Sequence, residues 1–177
     1  MKKIFYISAI ALYTFTAVSC GEKRKSKNYN EKTNVDDMSL EFIKSATEAG
    51  LTEISAGKVA QTKSSNAKVV EFAKMMITDH TKSGQELAKI ANAKYAPVPN
   101  DLLPEHQMKL DSISKLPGPA FDKAYMQMMV MDHEKAVKLY YDIADSKIEA
   151  VRGYANKNLP ILRTHLEEAK NINASLK

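Results

Sequence analysis

The sequence predicts an all-α fold: a bundle of four long helices, with a short extra helix between the second and the third. Three observations predict it. The chain has 177 residues with only Gly 6 and Pro 6, no Trp and a 44% apolar fraction, a balance that suits helices rather than sheet. Apolar residues recur at steps of three and four across four long windows, which places them on one helical face. Prolines punctuate the stretch between the second and third windows. The length is that of one ordinary domain with short additions.

The first helix is expected from about Asp37, as N-cap, to Gln61, with Phe42, Ala46, Ala49, Glu53, Gly57 and Ala60 on one stripe. The small residues Ala46, Ala49, Gly50 and Gly57 would let a neighbouring helix approach closely. Thr62 to Asn66 reads as a short polar turn, so the second helix, about Ser65 to Tyr95, should lie antiparallel to the first. Its stripe is Phe72, Met76, His80, Leu87 and Ala91. Pro97 and Pro99 end it. A short helix follows from about Leu102 to Leu116, and Pro117-Gly118-Pro119 then breaks the chain, Pro119 suiting a first helical position. The third long helix runs from about Ala120 to Ala144, with Met126, Met129, His133, Val137, Tyr140 and Ala144 on one face. Ser146 and Glu149 have capping-box spacing for the fourth, which continues to about Ser175. Pro160 should kink it; its stripe is Leu162, His165, Leu166, Ala169 and Ile172.

The connection from about Ala96 to Pro119 is long enough to cross the length of a bundle, as in ferritin-like folds. A short packed helix in an up-down array is equally compatible. Residues 72–80 repeat as 125–133: Met75, Met76, Asp79 and His80 recur as Met128, Met129, Asp132 and His133. One pattern on two helices suggests a pseudo-symmetric bundle.

The N-terminus is a targeting segment. Lys2 and Lys3 precede a largely apolar run from Ile4 to Val18, too short and wrongly flanked for a typical membrane span. It ends at Ala17-Val18-Ser19-Cys20, which resembles the lipobox of bacterial lipoproteins, with Ala17 where leucine is usual. On this reading residues 1–19 are a signal peptide and Cys20 is the lipidated first residue. Cys20 is the only cysteine, so no internal disulfide can form, and a lipid would cap a thiol that an oxidising compartment would attack. Residues 20–35 then form a basic linker expected to be disordered, and residues 36–177 the bundle.

Charge excludes one function class. The net +5 belongs to the N-terminus: seven of the 26 basic residues and two of the 21 acidic ones precede residue 35, leaving nineteen of each in the remainder. A neutral domain does not argue for nucleic-acid binding. No nucleophile motif such as G-x-S-x-G is present either.

Three of the four histidines, His80, His133 and His165, interrupt apolar stripes on three different helices, and Glu53 interrupts the fourth. In a bundle these groups can converge at mid-core. Neutral imidazoles with a carboxylate form a site for zinc, iron or copper, and an ion would satisfy a buried acid that is otherwise costly. Separations above roughly 8 Å between the three histidine nitrogens and a Glu53 oxygen would leave no room for a shared ion with ligand bonds near 2 Å. The competing reading is a non-catalytic envelope or stress interaction module, with the histidines hydrogen-bonded as structural residues. Asp79 and Asp132 point about 100° away from their neighbouring histidines; they read as groups that support the ligands from behind, as surface groups or, in preference, as partners of lysines. Glu168, one turn after His165, is a possible further ligand. Met76 and Met129, four before His80 and His133, could favour Cu(I) but more commonly fill core. His106 reads as a surface residue with no role.

The phrases FAKMMITDH (72–80), FDKAYMQMMVMDHEKAVKLY (121–140) and LPILRTHLEEA (159–169) resemble the bacterial "domain of unknown function 4142" family over about residues 36–175. The resemblance implies a ferritin-like four-helix bundle, and a cell-envelope location as predicted outer membrane proteins, with no established activity. The residues three before the core histidines are Ile77, Val130 and Leu162. The Glu-x-x-His pairs of di-iron carboxylate proteins are therefore absent, and ferroxidase chemistry is not expected.

Overall fold

A computed structural model of the chain describes residues 32–176. These hold five α-helices and no β-strand: α1 (Asp37–Lys63), α2 (Ala67–Ala93), α3 (Pro104–Ser114), α4 (Gly118–Asp142) and α5 (Glu149–Ser175). The expected signal peptide, Cys20 and most of the expected basic linker lie outside the described residues. Packing begins before Asp36. Val35 is fully buried and the Asn34 amide donates to the Lys94 carbonyl at 2.9 Å, so the last expected linker residues join the core.

Cap chemistry differs from the sequence reading at three ends. Asp36, not Asp37, caps α1, its Oδ1 accepting from the Ser39 amide at 2.7 Å; Asp37 sits in the first turn, where its charge suits the helix dipole. Ile148 is the N-cap of α5 without a side-chain bond. Ser146 instead accepts from the Ile148 amide at 3.1 Å and meets Ser39 Oγ at 3.0 Å, tying the α4–α5 turn to the start of α1. At the end of α2 the chain turns through Tyr95 at φ 55°, and the Ala96 amide returns to the Ala91 carbonyl. The helix stops there, ahead of the prolines. The helical segment of α5 runs through Pro160 without a break.

Each long helix packs on two others: α1 on α2 and α4, α5 on α4 and α2. The four close into a ring. Contacts fix their directions. Phe72 faces Tyr125 at 6.5 Å and His80 faces His133 at 5.7 Å between ring centroids, so the diagonal helices α2 and α4 run the same way. The two halves of the sequence repeat are these two facing segments. Along α2 and α5, Glu86 meets Lys157 while Asp79 meets His165, so those neighbours are antiparallel. The link between α2 and α4 must therefore travel the length of the bundle, and α3 lies within it against α1 and α4.

The interior is layered. One apolar cluster, around Phe42, Leu87, Tyr140 and Leu159, fills one end. A second, around Phe72, Met76, Phe121 and Met129, fills the other. Large buried side chains of this kind contribute roughly 1.5–3 kcal/mol each. Between the two clusters every long helix supplies a polar residue to one shared layer.

Candidate metal centre

Those residues are Glu53 on α1, His80 on α2, His133 on α4 and His165 on α5, all buried. Each sits between stripe residues of the two clusters, so the helical period that buries the clusters also turns the four inward. The rings of the three histidines form a near-equilateral triangle, with centroids 5.7, 5.5 and 5.5 Å apart. One ring nitrogen from each lies within 4.8 Å of those of the other two, inside the limit of about 8 Å and close to the roughly 4 Å that two bonds of about 2 Å span.

The hydrogen bonds divide each ring into a held side and a free side. His133 Nδ1–H donates to the Met129 carbonyl at 2.9 Å; a carbonyl only accepts, so Nε2 carries a bare lone pair. His165 Nε2–H donates to Asp79 Oδ2 at 3.0 Å, which leaves Nδ1 bare. His80 Nδ1 meets Glu53 Oε2 at 3.1 Å. The opposite nitrogens, His80 Nε2, His133 Nε2 and His165 Nδ1, are buried and have no hydrogen-bond partner in the protein. Glu53 Oε1 is 3.3 Å from His133 Nδ1 but is likewise without a hydrogen bond. Four orphaned polar atoms in one layer are exceptional, because buried polar groups are nearly always paired.

Electrostatics keep the rings uncharged. Burial, then repulsion from the other two histidines, lowers His80 to about 3. Burial, then His165, lowers His133 to about 4 against the push of its bond to Met129. Burial lowers His165 as well, opposed by Asp79. Neutral imidazole is the form that ligates metal. Burial, with Asp132 adding repulsion, raises Glu53 well above the usual carboxylate range.

The cluster that meets within 4.8 Å comprises the three histidines. Glu53 approaches two of them at Nδ1, behind the free nitrogens. Asp79 departs from its expected lysine and holds His165; this is the carboxylate–histidine arrangement that orients ligands in metal sites. Its signal in the sequence was weak, because a position 100° off a stripe reads as surface until the neighbouring helix is placed. Asp132 does pair with lysines, Lys109 at 3.5 Å and Lys135 at 3.9 Å. Glu168 is half-buried and outside the cluster, although its charge acts on His165. Met76 and Met129 are fully buried in an apolar cluster. His106 is not a bystander: it bonds Glu48 and Thr52 on α1. Among the described residues no helix is long and apolar enough to cross a membrane.

A family model described as "Domain of unknown function (DUF4142)" matches residues 24–172. No curated protein matches the chain. Among solved structures it is similar to the crystal structure of a DUF305 fragment from Deinococcus radiodurans, with a TM-score of 0.72 over 80% of this chain and 99% of that one. At 14% identity the likeness bears on the fold alone.

Proposed function

This chain belongs to the DUF4142 family, and we propose that it is an envelope lipoprotein whose bundle core binds one transition-metal ion through His80, His133 and His165. The observation that carries the metal reading is that His80, His133 and His165, on three helices, bring one ring nitrogen each within mutual reach, while every one of the three rings also has a buried nitrogen without a partner. A point equidistant from three atoms 4.8 Å apart lies about 2.8 Å from each, against roughly 2.0–2.1 Å for a zinc–nitrogen bond. A contraction of under about 1 Å suffices. Asp79 acts behind the His165 ring as the acceptor that fixes its tautomer, and Glu53 stands 3.1 Å behind His80 at Nδ1. The chemistry suits zinc, iron or copper.

Elemental analysis of chain purified after native export tests this. The expected result is close to one ion per chain, lost in His133→Ala and in His165→Gln. Metal-free protein that takes up none of the three metals in a calorimetric titration would sink the proposal and leave the histidines as structural groups of an interaction module.

The lipobox-like Ala17 to Cys20 supports anchoring at the outer membrane through a lipid on Cys20. Cys20→Ser should move the protein from the membrane to the soluble fraction; an unmoved distribution contradicts the anchor. The shared direction of α2 and α4, joined by a link that spans the bundle, supports a ferritin-like arrangement. An experimental structure with those helices antiparallel would remove it.

A further inference from the structure

The contact between His106 and Glu48 belongs to a second feature, distinct from the histidine layer. A cleft of about 760 Å³ lies between α1, the start of the α2–α4 link, α3 and α4. This is within the size range of small-molecule sites. Ala49, Val98, Leu103, Ala136 and Leu139 make its walls apolar, and Glu48, Thr52 and His106 stand together on its lining.

The polar end has a definite sense. Glu48 Oε1 accepts from the Leu103 amide at 2.7 Å and from His106 Nδ1–H at 2.9 Å. The same Nδ1–H lies 3.1 Å from Thr52 Oγ1, and the Thr52 hydroxyl proton goes to the Glu48 carbonyl at 3.0 Å. The donors of this group are therefore used inside it. What remains is acceptor capacity: Glu48 Oε2, buried and without a partner on a side chain only 7% exposed, and the second ring nitrogen of His106. The mouth does not supply the missing donor. Lys109 and Lys135 lie 3.5 and 3.9 Å from Asp132, Lys44 and Glu41 also line the cleft, and none of these lysines hydrogen-bonds Glu48 Oε2.

We propose that this cleft binds small organic amines, an ammonium group seated on Glu48 and an apolar body against the walls. An amine fits where an acid or a hydroxyl-poor lipid does not, because the site offers acceptors in an apolar setting and an unpaired buried acceptor is costly. The site is independent of whether the histidine layer holds metal.

The test is a fluorescence titration of the purified full chain with three probes that share a dansyl body and a pentyl tether. One ends in a primary ammonium (dansylcadaverine), one in its acetamide and one in a carboxylate. The ammonium probe should saturate and bind about tenfold or more tighter than the acetamide, the scale of a charge-assisted hydrogen bond, with the carboxylate weakest. Glu48→Gln should remove that order, and Ala49→Leu, which fills the cleft, should weaken all three. Equal binding of the three probes, absence of saturable binding, or an order that persists in Glu48→Gln overturns the proposal. Should Glu48→Gln not fold, the order on the unaltered chain and the weakening of all three probes in Ala49→Leu decide the matter.

Discussion

His133 has no exposed surface, and that fact dictates its charge. An imidazolium there would lose its hydration beside two other histidines, so the native state holds the ring neutral down to about pH 4, and His80 down to about 3. In the unfolded chain both would titrate near 6.5. The unfolded state therefore binds more protons between those limits, and stability rises with pH there. The metal-free protein should be most secure above about pH 6.5 and lose stability as the pH falls toward 4. Glu53 contributes with the opposite sign: its raised pKa favours folding at low pH, and the contribution fades as pH rises above 4.5. Thermal melts in chelator at pH 7, 6, 5 and 4 check the balance, and His80→Gln should flatten the slope. A melting temperature that climbs toward pH 4 in the natural chain would show that Glu53 dominates. The four layer residues were legible in the sequence because each is a polar interruption of an apolar stripe. Asp79 and the Glu48–His106 pair were not. Their meaning depends on which helix lies across the interface, and the spacing along one helix does not contain that.

At the scale of the element, helix extents were legible to about two residues because periodicity and proline placement are local. Caps were less so, since Asp36 and Asp37 offer the same side chain and only the backbone turn selects one. The small-residue stripe of α1 contains two glycines with different duties. A Cβ on Gly57 would stand 3.0 Å from the Ala73 carbonyl oxygen and 3.0 Å from Ile77 Cγ1 on α2. This is the close approach that a tight α1–α2 pair needs, and backbone cannot yield as a side-chain tip can. Gly50 has nothing within 4 Å of its Cβ position and only weakens the middle of a helix. Gly50→Ala should raise stability by about 0.5–1 kcal/mol. Gly57→Val should lower it by about 1–3 kcal/mol through overpacking. Denaturant melts of the two variants make the comparison; equal effects of the same sign would mean that the α1–α2 spacing is not set at Gly57.

In the whole molecule, the repeat in the sequence becomes a relation between diagonals. His80 on α2 answers His133 on α4, and across the other diagonal Glu53 on α1 answers His165 on α5. The direction of the crossover was the open question at sequence level, because a linker's length permits several routes and only contacts between distant segments choose one. The consequence is mechanical: one histidine comes from the α1–α2 hairpin and two from the α4–α5 hairpin, so an ion bound among them would join both hairpins and not tighten one. At a free ion concentration of about 100 times its Kd, native-state binding adds about 2.7 kcal/mol. For a chain of this size that is roughly 5–10 °C in melting temperature. Hydrogen exchange should slow around residues 53, 80, 133 and 165 together on adding zinc, and His165→Gln should abolish both effects while retaining helical circular dichroism. Protection limited to α1 and α2, or to α4 and α5, would place the ion within one hairpin. That outcome is incompatible with a ligand set drawn from α2, α4 and α5, and it would return the three orphaned nitrogens to a purely structural role.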